Sequence, residues 1–202
     1  MAPVVDDEGR TMERSVTRRH DPERRDRIIT ATLDLIAEHG VAGATYRTVA
    51  AAADIPLGSM TYHFPSREDL IFAAFERFAD ESFSPLDRAM ATPGTDPVDA
   101  LTRLVLEDDG DVRTKVLLAE LYVLAFRHGR YADLMRQWMR RSRDVIAQRV
   151  DWVSPRAIDA VQEGLGLQRW LAPDEVTEDI VRHVFQALIP EPPNPPSAPE
   201  QE

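Results

Sequence analysis

The stretch Thr45-Tyr46-Arg47-Thr48-Val49-Ala50-Ala51-Ala52-Ala53-Asp54-Ile55-Pro56-Leu57-Gly58-Ser59-Met60-Thr61-Tyr62-His63-Phe64-Pro65-Ser66 decides how this chain folds. Thr45 is a good cap for a short helix, Tyr46 to Ala53, whose inward residues are Val49, Ala50 and Ala53. Asp54 to Leu57 breaks it. A third short helix, Gly58 to Phe64, buries Met60 and Phe64 at i, i+4, and Pro65 stops it. Two helices of about eight residues cannot stand alone and need an apolar support. The support lies upstream, where Asp21-Pro22-Glu23 opens a helix with a capping carboxylate and a first-turn proline. Ile29, Leu33 and Ile36 recur on it at helical spacing, backed by Ile28 and Leu35, and His39-Gly40 ends it with glycine in a left-handed cap. Two short helices seated on a longer one form a helix-turn-helix. An ordinary helical bundle containing a short hairpin fits the same apolar pattern, so the surface residues must decide.

If Met60 and Phe64 face inward, Gly58, Ser59, Thr61, Tyr62 and His63 are left outward. None is acidic, and all are small or carry hydrogen-bonding tips, which suits a helix entering a major groove about 12 Å wide. Arg47, one turn into the second helix, is placed to reach a guanine or the backbone. Thr45 and Ser66 head helices whose amides can meet phosphate, and Arg67 adds charge beside Ser66. The 202-residue chain carries a formal charge of −11, which by itself argues against a polyanionic partner. The charge is unevenly spread, however. Residues 9–67 hold nine arginines against seven acids, whereas residues 68–202 hold 15 basic and 25 acidic groups. Screening confines each field to about 8–10 Å, so a basic head on an acidic body can still bind DNA.

Other classes are constrained by composition. With no cysteine, disulfides, thiolate metal sites and cysteine nucleophiles are all excluded. The five histidines show no metal spacing with acids apart from Asp179 and His183, and no phosphate loop or nucleophile elbow appears, so neither enzyme, metal nor cofactor is expected. No apolar run approaches the ~20 residues of a membrane span, and the chain start lacks an apolar signal core. A cytoplasmic protein without a membrane partner is the expectation.

Ser66 opens a fourth helix with Asp69 three residues on, carrying Leu70, Ile71, Ala74, Phe75 and Phe78 to about Phe83. Beyond Pro93-Gly94 the pattern predicts helices over about 98–108, 112–128, 130–152, 155–171 and 174–189. Between Val116 and Phe126 only Glu120 is polar, so that helix should be surrounded by protein. Tyr122 and Phe126 on it, and Leu134, Met135, Trp138 and Met139 on the next, could wall a pocket for a variable small ligand or be ordinary core. Glu120 is either a structural ion pair or an acid recognising a cationic or hydroxylated ligand. The last two helices carry apolar stripes including Leu165 and Leu171, then Val181, Val184, Phe185 and Leu188. Gly164 and Gly166 permit close approach there. Pairing with a symmetry mate would form a four-helix bundle.

The run from Ala44 to Leu70, and above all Tyr62-His63-Phe64-Pro65-Ser66-Arg67-Glu68-Asp69-Leu70, resembles the DNA-binding signature of TetR-family transcriptional regulators. The likeness covers roughly residues 24–80; Glu163 to Pro173 more weakly resembles the family's dimerisation segment. The resemblance implies an all-α fold with a three-helix head over 21–66 and an effector-binding and dimerisation body over 67–189. Residues 67–83 link the two, with a basic arm (1–20) and a proline-rich tail (190–202) outside. It also implies phosphate contacts at Thr45, Tyr62, His63 and Arg67, and base-reading positions at Tyr46, Arg47, Gly58, Ser59 and Thr61. The implied function is that of a homodimeric repressor released from a palindromic double-stranded operator by a small-molecule effector. An activator, or a DNA binder without sequence preference, is the competing reading.

Overall fold

The computed structural model describes residues 23–107 and 112–190; the expected basic arm, the opening at Asp21-Pro22 and the tail beyond Pro190 lie outside them. Helices α1 (Arg24–Gly43), α2 (Tyr46–Ala52), α3 (Met60–His63) and α4 (Arg67–Ala91) form the N-terminal part, with a 3-10 turn, Leu57–Ser59, leading into α3. Helices α5 (Pro97–Glu107), α6 (Val112–Arg127), α7 (Gly129–Ala147), α8 (Pro155–Leu171) and α9 (Glu178–Leu188) complete the fold, with no strand among the described residues.

Local chemistry accounts for the head. Thr45 caps α2 in a reciprocal box with Thr48, its hydroxyl accepting from the Thr48 amide at 3.2 Å while Thr48 Oγ1 accepts from the Thr45 amide at 2.9 Å. Ser66 caps α4 by accepting from the Asp69 amide at 3.0 Å. Val49, Ala50, Met60 and Phe64 are buried against Ile29, Leu33 and Ile36 of α1, as the apolar spacing requires. Two details differ from the expected geometry. Gly40 has φ 68° and ψ 173°, so it kinks the helix rather than forming a left-handed cap, and a further turn, Val41 to Gly43, follows. The third helix is only partly α: its entry is 3-10, and Phe64 is extended because Pro65 follows it.

Helix α4 continues past Phe83 to Ala91, through Pro85. Pro85 is exposed, while Leu86 and Met90 beyond it are buried in the body. Burying those two side chains, worth ~1.5–3 kcal/mol each, offsets the ~3 kcal/mol that an interior proline costs. Helix α6 does not have the all-round burial expected of it. Only Leu117 and Leu121 are buried, and Phe126 is 84% exposed. It packs against α1 and α7 and borders the body cavity with Leu118 and Tyr122, while Val123 and Phe126 are exposed. Helix α7 stops at Ala147 rather than near Trp152. Helix α9 starts at Glu178 rather than Asp174, because Ala172 to Thr177 turns under Arg169, whose Nη1 donates to the Val176 carbonyl at 2.8 Å.

Two apolar cores result. The first joins α1, α2, α3 and α4 to Leu117, Leu121, Tyr131 and Met135 of α6 and α7. The second gathers Leu86 and Met90 with α5, Ile146, Ile158, Val181 and Phe185. Trp138 packs against both. Arg149 closes the turn after α4 by donating to the carbonyls of Met90 (2.7 Å), Thr92 (3.2 Å) and Thr95.

Candidate nucleic-acid interface and body cavity

The outer surface of the head is built by the burial beneath it. Met60 and Phe64 anchor α3 at 0% and 2% exposure, which turns Gly58, Thr61 and Tyr62 to solvent and leaves Ser59 and His63 half-buried. Tyr62 is 80% exposed, and its ring meets that of His63 edge-on at 5.2 Å. Arg47 is exposed on α2, and Thr45 is exposed at its N-terminus. Gly58 has no neighbour within 4 Å of where a Cβ would stand, so the fold does not require glycine there. These residues together form one polar, non-acidic ridge.

Two residues expected on that ridge are engaged within the protein. The Tyr46 hydroxyl donates to the Phe64 carbonyl at 2.6 Å, fastening α2 to the end of α3. Burial, with the Asp69 carboxylate second, pushes its phenol up. Arg67 donates from Nε to the Ala44 carbonyl at 2.7 Å and from Nη2 to the Val41 carbonyl. Its guanidinium therefore ties α4 to the turn between α1 and α2, because carbonyls at a helix end lack intrahelical partners. Asp69 sits at the same junction, held below the usual carboxylate range by the Ser66 hydroxyl and then by Arg130, whose Nη1 is 2.9 Å away.

A cavity of about 1360 Å³ opens between α4, α5, α6, α7 and α8. Tyr122, Trp138 and Met139 line it, as do Phe78, Leu104 and Trp170. Three residues expected there are elsewhere. Glu120 lies against α1, its Oε1 3.0 Å from where a Cβ on Gly40 would stand. Phe126 projects outward near the end of α6, and Met135 is buried in the first core, on the side of α7 that faces α4. The acids of the cavity are instead Glu81 of α4 and Glu107 of α5, both exposed, and Asp159 and Glu163 of α8, both half-buried. Burial raises the carboxyls of Asp159 and Glu163; the Ser142 hydroxyl and the Arg143 guanidinium, 3.7 Å away, partly offset this for Asp159. Glu163 Oε1 is buried with no hydrogen-bond partner among the described residues. No pattern in the sequence marks Glu163, since it opens a segment whose likeness is to a dimerisation surface.

That surface also needs correction. Val181 and Phe185 are fully buried, because α9 turns them onto α5 in the second core. Leu165, Val184 and Leu188 are half-buried, Leu165 and Leu188 against the same core. Leu171 is 81% exposed, and Leu167 and Ile180 are exposed near it in the chain order of α8 and α9.

A supporting helix, a capped second helix and a short third helix with its polar tips outward define a helix-turn-helix DNA-binding protein. Residues 28–74 match the family model of bacterial regulatory proteins of the tetR family. A TetR-family member from Streptomyces coelicolor A3, SCO1917, is 38% identical over 84% of this chain and 99% of its own, with TM-score 0.72. This chain belongs to the TetR family and is a DNA-binding transcriptional regulator. The multidrug binding protein EbrR, solved with imidazole, is 38% identical over 86% of this chain and 99% of its own (TM-score 0.73). It has also been solved with proflavin, malachite green and ethidium. The transcriptional repressor KstR of Mycolicibacterium smegmatis is 33% identical over 104 residues, and the chain spans about half the length of the curated relatives it matches. Among the described residues no helix is long and apolar enough to cross a membrane.

Proposed function

We propose that the chain acts in the cytoplasm as a homodimeric repressor whose two heads hold a palindromic operator and release it when a small molecule enters the body cavity. Arg47, Gly58, Ser59 and Thr61 read bases, while Thr45, Tyr62 and His63 hold phosphates. Tyr46 and Arg67 set the positions of these groups from beneath. The exposed apolar side chains Leu167, Leu171 and Ile180 are suited to a twofold contact.

The observation that carries the ligand response is a shared set of side chains. Phe78 belongs to the first core and lines the cavity, and Leu118 and Tyr122 pack against that core from the cavity wall. An occupant that presses on these three favours one arrangement of α4 and α6, and so one spacing of the heads. It acts only through its differential affinity for the two arrangements. The kinship with EbrR, a multidrug binding protein, supports a cavity that accepts small molecules.

Selection of bound fragments from random DNA tests the reading. Enrichment of one inverted repeat, its half-sites one helical turn (about 34–36 Å) apart, is the expected result. Binding without enrichment, collapsing with salt, would identify a non-specific DNA binder instead.

A further inference from the structure

The geometry points to a lipophilic aromatic monocation as the class of molecule the body cavity takes, with Glu163 of α8 as the group that recognises its charge. This inference rests on the reading of the cavity as an effector site and narrows it.

Glu163 borders the cavity with Oε1 buried and without a hydrogen-bond partner among the described residues. A carboxylate oxygen withdrawn from water and left unpaired is costly, and proteins rarely keep one without something to meet it. Asp159, one helical turn earlier, is already matched by the Ser142 hydroxyl and by Arg143 at 3.7 Å. The other acids of the wall, Glu81 and Glu107, are exposed, and Glu81 pairs with Arg77 at 3.2 Å, which leaves Glu163 as the one acid withdrawn from water and open to an occupant, and favours a single positive charge.

The remaining wall fixes the rest of the chemistry. Trp138, Trp170, Tyr122 and Phe78 supply flat faces, and Met139 an adaptable one. Aromatic faces and a buried carboxylate together favour a delocalised cation, weakly hydrated and easily stripped of water. The basic side chains of the wall do not serve the opposite charge at depth. Arg88 and Arg103 are exposed, Arg113 bonds Asp34 on α1 at 2.9 Å, and Lys115 stands over the Trp170 ring at 5.5 Å. Gly164 and Gly166, beside Glu163, have nothing within 4 Å of a Cβ, so α8 leaves open space where an occupant would lie.

Two xanthene dyes of like shape and opposite charge, rhodamine 6G and fluorescein, test this with the full-length purified chain and no DNA present. Fluorescence anisotropy at pH 7.5 should show rhodamine 6G binding at least about tenfold more tightly than fluorescein. Glu163→Gln, which keeps the side-chain shape, should weaken rhodamine 6G on the order of 30-fold and leave fluorescein binding no weaker than in the parent. Equal affinity for the two dyes in the parent overturns the inference and needs no variant. So does a Glu163→Gln chain that keeps rhodamine 6G affinity, or a parent that binds it no more tightly than about 1 mM. Because the operator selection is carried out without dye, an enriched inverted repeat would leave the regulator reading standing even if the charge preference failed.

Discussion

Replacing Arg67 separates two roles that the head could give it. Nε donates to the partly buried Ala44 carbonyl at 2.7 Å, and Nη2 donates to the more exposed Val41 carbonyl. The first bond is worth about 1 kcal/mol and the second several tenths, so Arg67→Ala should cost about 1–2 kcal/mol. For a chain of this size that corresponds to a fall of about 2–8 °C in Tm, read by circular dichroism. Arg67→Lys should recover less than half, because one ammonium cannot span two carbonyls as the planar fork does. Operator affinity should fall for every sequence alike, since the turn before α2 loosens. The dependence of log affinity on log salt should keep its slope, because no phosphate contact has been deleted. A direct phosphate ligand would behave oppositely, leaving Tm alone and reducing the slope by about 0.9 per head. An unchanged Tm with a reduced slope would refute the positioning role.

Three further outcomes are expected. Gly40→Ala places a side chain at φ 68°, ψ 173°, a region essentially reserved for glycine, and should cost about 1–3 kcal/mol in urea unfolding; a loss of only a few tenths would contradict the kink described at that residue. Tyr46→Phe removes the 2.6 Å bond to the Phe64 carbonyl and should lower stability by about 1 kcal/mol without changing the selected operator sequence, whereas a shifted sequence would make Tyr46 a base reader. Burial raises the Glu163 carboxyl, so the folded chain retains this proton at pH values where the unfolded chain has released it, and its contribution to stability falls as pH rises through that interval. Glu163→Gln should therefore melt above the parent at pH 7, the gap closing as pH drops to about 4, near the ordinary glutamate value; a gap independent of pH would count against an unpaired buried acid.

The head was legible because short-range rules govern it. Thr45 and Ser66 are caps, Met60 and Phe64 share one face, and Pro65 ends a helix, all within a few residues of sequence. The body was less so, because what an apolar helix touches is a tertiary fact. The run from Val116 to Phe126 reads alike whether all of it meets protein or, as found, Leu118 and Tyr122 border a cavity and Val123 and Phe126 meet solvent. Glu120 and Glu163 are each an acid among apolar neighbours, and only the direction each faces distinguishes the one against Gly40 from the one at the cavity. Val181 and Phe185 belong to a stripe that serves an intramolecular or a twofold contact equally well on paper. Tyr46 and Arg67 show a related limit: a polar tip capable of reaching DNA is equally capable of reaching a carbonyl 18 or 23 residues away.

The vacancy around Gly58 has an evolutionary consequence. A residue whose side chain would meet nothing inside the molecule can be exchanged at little expense to folding. Under the base-reading role proposed for it, position 58 would be a dial for target choice, free to turn while the scaffold beneath it stays fixed. On that reading, a single codon change there would alter the preferred binding site without first having to rebuild what holds the head upright.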